Sequence, residues 1–306
     1  MVEFLKDSNY NFIGARKWAI TVSITVIVAS LVVMLIRNGK PNLSIDFTGG
    51  TVVQLKFEKQ VQSDIGKIRS VVSAMKFGNP EVKTVGPVSH NEIQITVKKV
   101  AEGSFVGDQI RDAIQKAYPG NPFEVRRQEL VGPKIGSELK TDAIVATILA
   151  LIALLIYVGF RFSPPFGVAA IVPLFHDALV ALCPFLIFNL EISLSTVAAL
   201  LTIIGFSIND TIVIFDRIRE NLRGGGLRQK NFEQLANWSV NLTLSRTIIT
   251  SLTVFFGVSF LYFFGGESLK DFSLTMFVGT ISGVYSTIYI ACPILIWWNG
   301  KRPITR

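Results

Sequence analysis

Six runs of about 20 apolar residues decide most of what this chain can fold into. They are Trp18–Ile36, Ala143–Phe160, Gly167–Phe188, Leu194–Phe215, Arg246–Phe264 and Leu274–Trp298. Hydrocarbon offers no water to backbone N–H and C=O groups, so a run of this length crosses it as a helix that closes its own hydrogen bonds. Half of the 306 residues are hydrophobic (50%) and only 17% are charged, a balance far from that of a soluble domain. The chain is therefore predicted to be a polytopic α-helical membrane protein with six transmembrane helices. The first run is longer than a signal-peptide core and lacks small residues at its end, so it is read as an uncleaved span behind a short N-terminus, residues 1–36 together.

Residues 37–141 lose the apolar character. Thr51–Phe57 alternates as a strand does, and Val61–Phe77 has helical spacing and stops at Gly78-Asn79-Pro80. Glu81–Val85 and Glu92–Val97 read as strands, Phe105–Tyr118 as a helix and Phe123–Leu130 as a last strand. The order βαββαβ is that of a ferredoxin-like α+β sandwich. No Ser/His/Asp or metal-ligand constellation occurs in it, so no catalysis, metal or cofactor is assigned and the chain is not read as an enzyme.

The formal charge of +8 is read as topology. The N-terminus, Arg161, residues 217–245 and the C-terminal tail carry twelve Lys or Arg, whereas the connections 189–193 and 265–273 carry Lys270 alone. The positive-inside rule then places both termini in the cytoplasm and the 37–141 domain outside, with the five remaining spans in residues 142–306. Residues 217–245 are expected as a basic cytoplasmic loop, and their Gly224–Gly226 run as a flexible break. A phosphate cradle would need GK[ST] after it, which is missing, and no basic patch with interleaved aromatics suggests nucleic acid. Cys183 and Cys292 lie in apolar runs without metal-ligand spacing and are read as buried thiols.

Polar residues within the spans are few. His176 and Asp177 sit in the third, Ser207, Asn209 and Asp210 in the fourth, and Arg246 and Thr250 in the fifth. A carboxylate in hydrocarbon costs roughly 2.5–3.5 kcal/mol even on a lenient insertion scale, so it faces a bundle interior, a partner or a water path. On the fourth helix Ala199, Ile203, Ser207, Asp210 and Ile214 share one stripe, and Thr202, Gly205, Asn209 and Asp216 the next. The sixth span offers Thr275, Gly279, Ser282, Gly283 and Ser286, a seam of small residues that permits close helix approach. Asp210 lies about 7 Å inside the cytoplasmic end of its span, within reach of Arg246 on the antiparallel fifth. Two readings of that pair stay open, a proton relay to which Asn209 and Ser207 are also assigned, and a fixed salt bridge that locks two helices. Asp216 is expected at the interface with Arg217 and Arg219. His176 and Asp177 point about 100° apart, and at least one of them is open to simple bonding with a neighbouring helix.

Several ordered motifs resemble one family from end to end: NYNFIGARKW at 9–18, SIDFTGGT at 44–51, VGPKIG at 131–136, HD at 176–177, IGFSINDTIVIFDRIREN at 204–221, SRTIITS at 245–251, and FGG with FSLTM at 264–276. These are similar to the SecF family, the smaller membrane subunits of the SecD/SecF accessory complex of protein export, within the resistance-nodulation-division superfamily of proton-driven transporters. The Gly-rich stretch at 224–226 makes the cytoplasmic connection slightly longer than in many relatives.

The resemblance implies that Asp210 and Arg246 take part in proton passage together with an aspartate on SecD, without a bound cofactor. It also implies SecD, the SecYEG translocon, YajC, preprotein and membrane lipid as partners, and the cytoplasmic (inner) membrane as location. The implied function is promotion of late-stage preprotein translocation by the proton-motive force. The rival functions are a proton-coupled half-transporter for small substrates and a purely structural, translocon-stabilising subunit.

Overall fold

The computed structural model describes residues 9–301 apart from 38, 62–63, 76, 79, 87, 99–105 and 226–230. In chain order its elements are α1 (Arg16–Arg37), α2 (Ile45–Thr48), β1 (Gly50–Phe57), α3 (Ile65–Ala74), β2 (Glu81–Val85), β3 (Glu92–Val97), α4 (Val106–Ala117), β4 (Phe123–Val131), α5 (Pro133–Arg161), α6 (Pro164–Phe188), α7 (Leu194–Arg223), α8 (Phe232–Phe264), α9 (Lys270–Ser286) and α10 (Cys292–Lys301). A π-helical segment, Thr287–Ala291, joins the last two. The chain forms two units, Leu43–Ala146 and Met1–Asn42 with Thr147–Arg306.

The smaller unit is the expected α+β sandwich. Its strands pair antiparallel in the order β2-β3-β1-β4, the ferredoxin-like arrangement. Alternation along β1 and β3 sends Val53, Leu55, Phe57, Ile93, Ile95 and Val97 to one face, where Ile68 and Val72 of α3 and Ile110 and Ile114 of α4 cover them. The other face is polar: Gln54 Nε2 donates to Glu92 Oε2 at 2.9 Å, and Arg127 Nε to Glu129 Oε1 at 2.6 Å. The predicted helix start at Phe105 lies outside the described residues.

Two of the sequence motifs meet in this unit. Ser44 caps the short α2, its Oγ accepting from the Asp46 amide at 3.2 Å, and the chain then turns through Gly49 (φ 70°) and Gly50 (φ 141°) into β1. A Cβ at Gly50 would lie 2.4 Å from the Val97 carbonyl oxygen, and one at Gly136, in the first turn of α5, 2.8 Å from the Gly49 amide nitrogen. Backbones this close leave room for glycine alone, which accounts for TGG at 48–50 and IG at 135–136.

The larger unit holds the membrane spans. Among the described residues six helices are long and apolar enough to cross a bilayer. Several run past their apolar stretches: α7 has 30 residues and α8 has 33, so the region expected as the loop 217–245 consists mostly of their two ends. Hydropathy marks only the part of a helix in hydrocarbon, whereas backbone hydrogen bonding continues wherever polar side chains can reach water. Asn231 and Gln234 close a capping box at the start of α8, and Ser193 with Thr196 does so for α7.

The small-residue seam on α9 is buried against α7. A Cβ at Gly279 would lie 2.1 Å from Ile203 Cδ1, and one at Gly283 3.3 Å from Ser207 Cβ. At one end of the unit Tyr10 is held by two asparagines of α8: its amide donates to Asn241 Oδ1 at 2.9 Å, and its carbonyl accepts from Asn237 Nδ2 at 2.9 Å. Arg16 forms an ion pair with Glu233 beside them. At the other end the Ile192 amide donates to the Asn42 carbonyl at 2.8 Å. The N-terminal segment thus lies at the end of the unit where α8 begins.

Candidate functional site

Helix α7 arranges the polar groups of the larger unit. Its first stripe, Ala199, Ile203, Ser207, Asp210 and Ile214, is buried, and Asp210 is only 2% exposed. Its second stripe turns outward: Thr202, Gly205 and Asn209 are exposed and Asp216 is half-buried. Helical periodicity separates the two because neighbours along a stripe lie three or four residues apart.

Asp210 accepts a hydrogen bond from Ser251 Oγ of α8 at 3.4 Å, and the Arg246 charge acts on it electrostatically although, among the described residues, the two form no direct ion pair. Arg246 is exposed on α8, on the face that also carries Thr253 and Gly257. Thr250 is half-buried, and its hydroxyl returns to the Arg246 and Thr247 carbonyls at 3.0 Å each. Asn209 and Arg246 therefore lie on outward faces of adjacent helices, with Asp210 buried beside them. Asp216 pairs with Arg161 of α5 and with Arg219 one turn along α7, while Arg217 Nη1 donates to Glu220 Oε2 at 2.8 Å.

Ser207 belongs to a different carboxylate. Its Oγ donates to Asp177 Oδ2 at 2.6 Å, Ser286 Oγ donates to the same oxygen at 2.7 Å, and Ser282 Oγ donates to Oδ1 at 2.6 Å. His176 Nδ1 lies 3.1 Å from Oδ1. Asp177 is wholly buried, and its donors come from α6, α7 and α9. Removing a carboxylate from water costs several kcal/mol, and charge-assisted hydrogen bonds of about 1.5–3 kcal/mol each offset it only when most of the lone pairs are filled. Here all four acceptor positions are filled. Sequence pattern alone missed this shell, although Ser282 and Ser286, one turn apart on the small-residue seam, were its visible half.

These features define a polytopic membrane protein with one inserted ferredoxin-like unit and buried carboxylates on its third and fourth spans. Residues 109–301 match the family described as protein export membrane protein SecD/SecF, C-terminal, and residues 40–61 match the SecD/SecF GG motif. The chain is 41% identical to protein translocase subunit SecF of Calditerrivibrio nitroreducens over 99% of both chains. It is 38% identical to that of Pseudomonas aeruginosa, over 96% of this chain and 93% of the other. The crystal structure of SecDF, a translocon-associated membrane protein from Thermus thermophilus, superposes with a TM-score of 0.83 at 33% identity. That match covers 98% of this chain but 40% of the SecDF chain. The chain belongs to the SecD/SecF family of protein-export membrane proteins, in its SecF branch.

Proposed function

We propose that this chain works with SecD as an accessory subunit of the Sec translocase in the cytoplasmic membrane, using the proton-motive force to promote late preprotein translocation. It is a transport subunit and not an enzyme, in keeping with the names of its relatives. The observation that carries the reading is that Asn209 and Arg246 are exposed on outward faces while Asp210, on which the Arg246 charge acts, is buried. Polar and cationic groups facing out of a membrane helix call for a partner, and a second helical bundle supplies one. The SecDF relative, of whose chain this one spans 40%, supports SecD as that bundle. SecYEG, YajC and the preprotein complete the assembly, with both termini in the cytoplasm.

In this reading Asp210 alternates between ionised and protonated states. Each proton crossing the membrane supplies about 2.3 kcal/mol per 100 mV, enough to bias a two-state rearrangement about 50-fold. Arg246, whose charge acts on Asp210 without a direct ion pair among the described residues, is the group that senses the change. Export into inverted membrane vesicles tests the proposal: Asp210→Asn and Arg246→Met abolish stimulation by the proton-motive force while the complex with SecD still assembles. Normal export in either variant would remove the relay role.

A further inference from the structure

The His176 and Asp177 pair lies outside the proposed relay and has a geometry of its own. Asp177 uses both oxygens to accept from Ser207, Ser286, Ser282 and His176, so the Nδ1 of the imidazole is the nitrogen that carries hydrogen. That leaves Nε2 with a bare lone pair. It is buried and has no hydrogen-bond partner among the described residues, although the side chain as a whole is nine-tenths buried. The ring stacks on Tyr285 with centroids 6.0 Å apart, and that phenol cannot serve Nε2, because its hydroxyl donates to the Ala19 carbonyl and accepts from Ser23 Oγ. Buried histidines ordinarily satisfy both nitrogens. This one keeps an acceptor unused beside a fixed anion.

We propose that His176 and Asp177 form a second proton-accepting site, with His176 Nε2 as the accepting atom and Asp177 as the anion that holds the tautomer. A proton that reaches the site bonds to the Nε2 lone pair, the hydrogen on Nδ1 stays there and keeps donating to Asp177 Oδ1, and the imidazolium charge faces the carboxylate. Release from Nε2 restores the neutral ring. The titratable and charged groups on elements packed against α6 are Asp210, Asp216, Arg217, Arg219, Glu220 and Arg223 on α7, Lys270, Asp271 and Tyr285 on α9, Tyr289 in the π-helical segment, Cys292 and Lys301 on α10, and Arg16, Lys17 and Arg37 on α1; Cys183 shares α6 itself. Among the described residues the ion pair of Asp177 is with His176, and no lysine or arginine competes for it. The site does not require Asp210 or Arg246 to carry protons.

The chain has two histidines, and His90 is exposed in the smaller unit, so His90→Gln leaves a single imidazole to observe. The full chain in this background, labelled with 15N-histidine and held in lipid nanodiscs, is followed by NMR from pH 9 to pH 5. At pH 9 the proposal expects hydrogen on Nδ1 and a bare Nε2; on acidification the Nε2 resonance moves to the N–H position while helix content stays constant. In Asp177→Asn the preference for hydrogen on Nδ1 is lost. Hydrogen on Nε2 at pH 9, or an Nε2 resonance that never moves, would overturn the site and leave Asp177 as a helix clamp. Repeating the titration in Asp210→Asn separates the two hypotheses, because the His176 signal is expected to behave identically there.

Discussion

The α7–α9 contact sets where Ser207 and Asp210 sit, and Gly279→Ala tests how tightly. The added methyl would lie 2.1 Å from Ile203 Cδ1, 2.5 Å from Cγ1 and 3.0 Å from Cγ2, against about 3.5–4.0 Å for an ordinary carbon contact. Either Ile203 leaves its rotamer or the helices part by roughly 1 Å, enough to lengthen the 2.6 Å bond from Ser207 to Asp177 past hydrogen-bonding range. Overpacking costs about 1–3 kcal/mol, and weakening one charge-assisted bond adds about 1.5–3 kcal/mol. The expected loss is about 2.5–6 kcal/mol, read as unfolding of the full chain in nanodiscs. Ile203→Ala alone leaves a cavity and costs about 2–5 kcal/mol, but the double variant loses less than the sum because the new methyl fills that space. Gly257→Ala is the control, since nothing lies within 4 Å of its Cβ position. Equal losses for Gly279→Ala and Gly257→Ala, or strict additivity with Ile203→Ala, would refute the close approach.

Three further outcomes are expected. Gly50→Ala combines a positive φ of 141° with a contact of 2.4 Å to a backbone oxygen, so it should cost about 2–5 kcal/mol and expose the smaller unit to pulse proteolysis, whereas Gly66→Ala in α3 should protect it slightly. Asn237→Ala with Asn241→Ala removes both side chains that hold Tyr10, and hydrogen exchange at the Tyr10 and Ile13 amides should speed up about 5–30-fold, as expected for 1–2 kcal/mol. Burial, with Asp64 adding to it, raises the Tyr118 phenol above its ordinary value. The folded unit then keeps a proton that the unfolded chain releases, so its stability should fall as pH rises past about 10, and Tyr118→Phe should abolish that slope.

The smaller unit was legible because its pattern is local: period-2 runs with turn residues between them settle strands, and the order βαββαβ settles the sheet. The two stripes of α7 and the seam of α9 were legible for the same reason, since one helix's periodicity tells inside from outside. What sequence could not show is which groups meet across helices. Ser207 shares a stripe with Asp210 yet serves Asp177, because α6 and α9 close on that turn of α7 while α8 brings Ser251 to Asp210. Arg246 was placed near Asp210 by its depth, its helix face and the antiparallel run of the two spans, and its charge does act on Asp210, whereas the Ser251 hydroxyl that bonds Asp210 had no such signal. The helix ends beyond the apolar runs were hidden too, since polar residues there read equally well as loop.

Proton flux tests the central claim most directly. Proteoliposomes containing this chain and SecD, energised by an imposed potential, are predicted to conduct protons, and Asp210→Asn is predicted to reduce the flux to that of protein-free vesicles. Flux in Asp210→Asn equal to wild type would contradict the account.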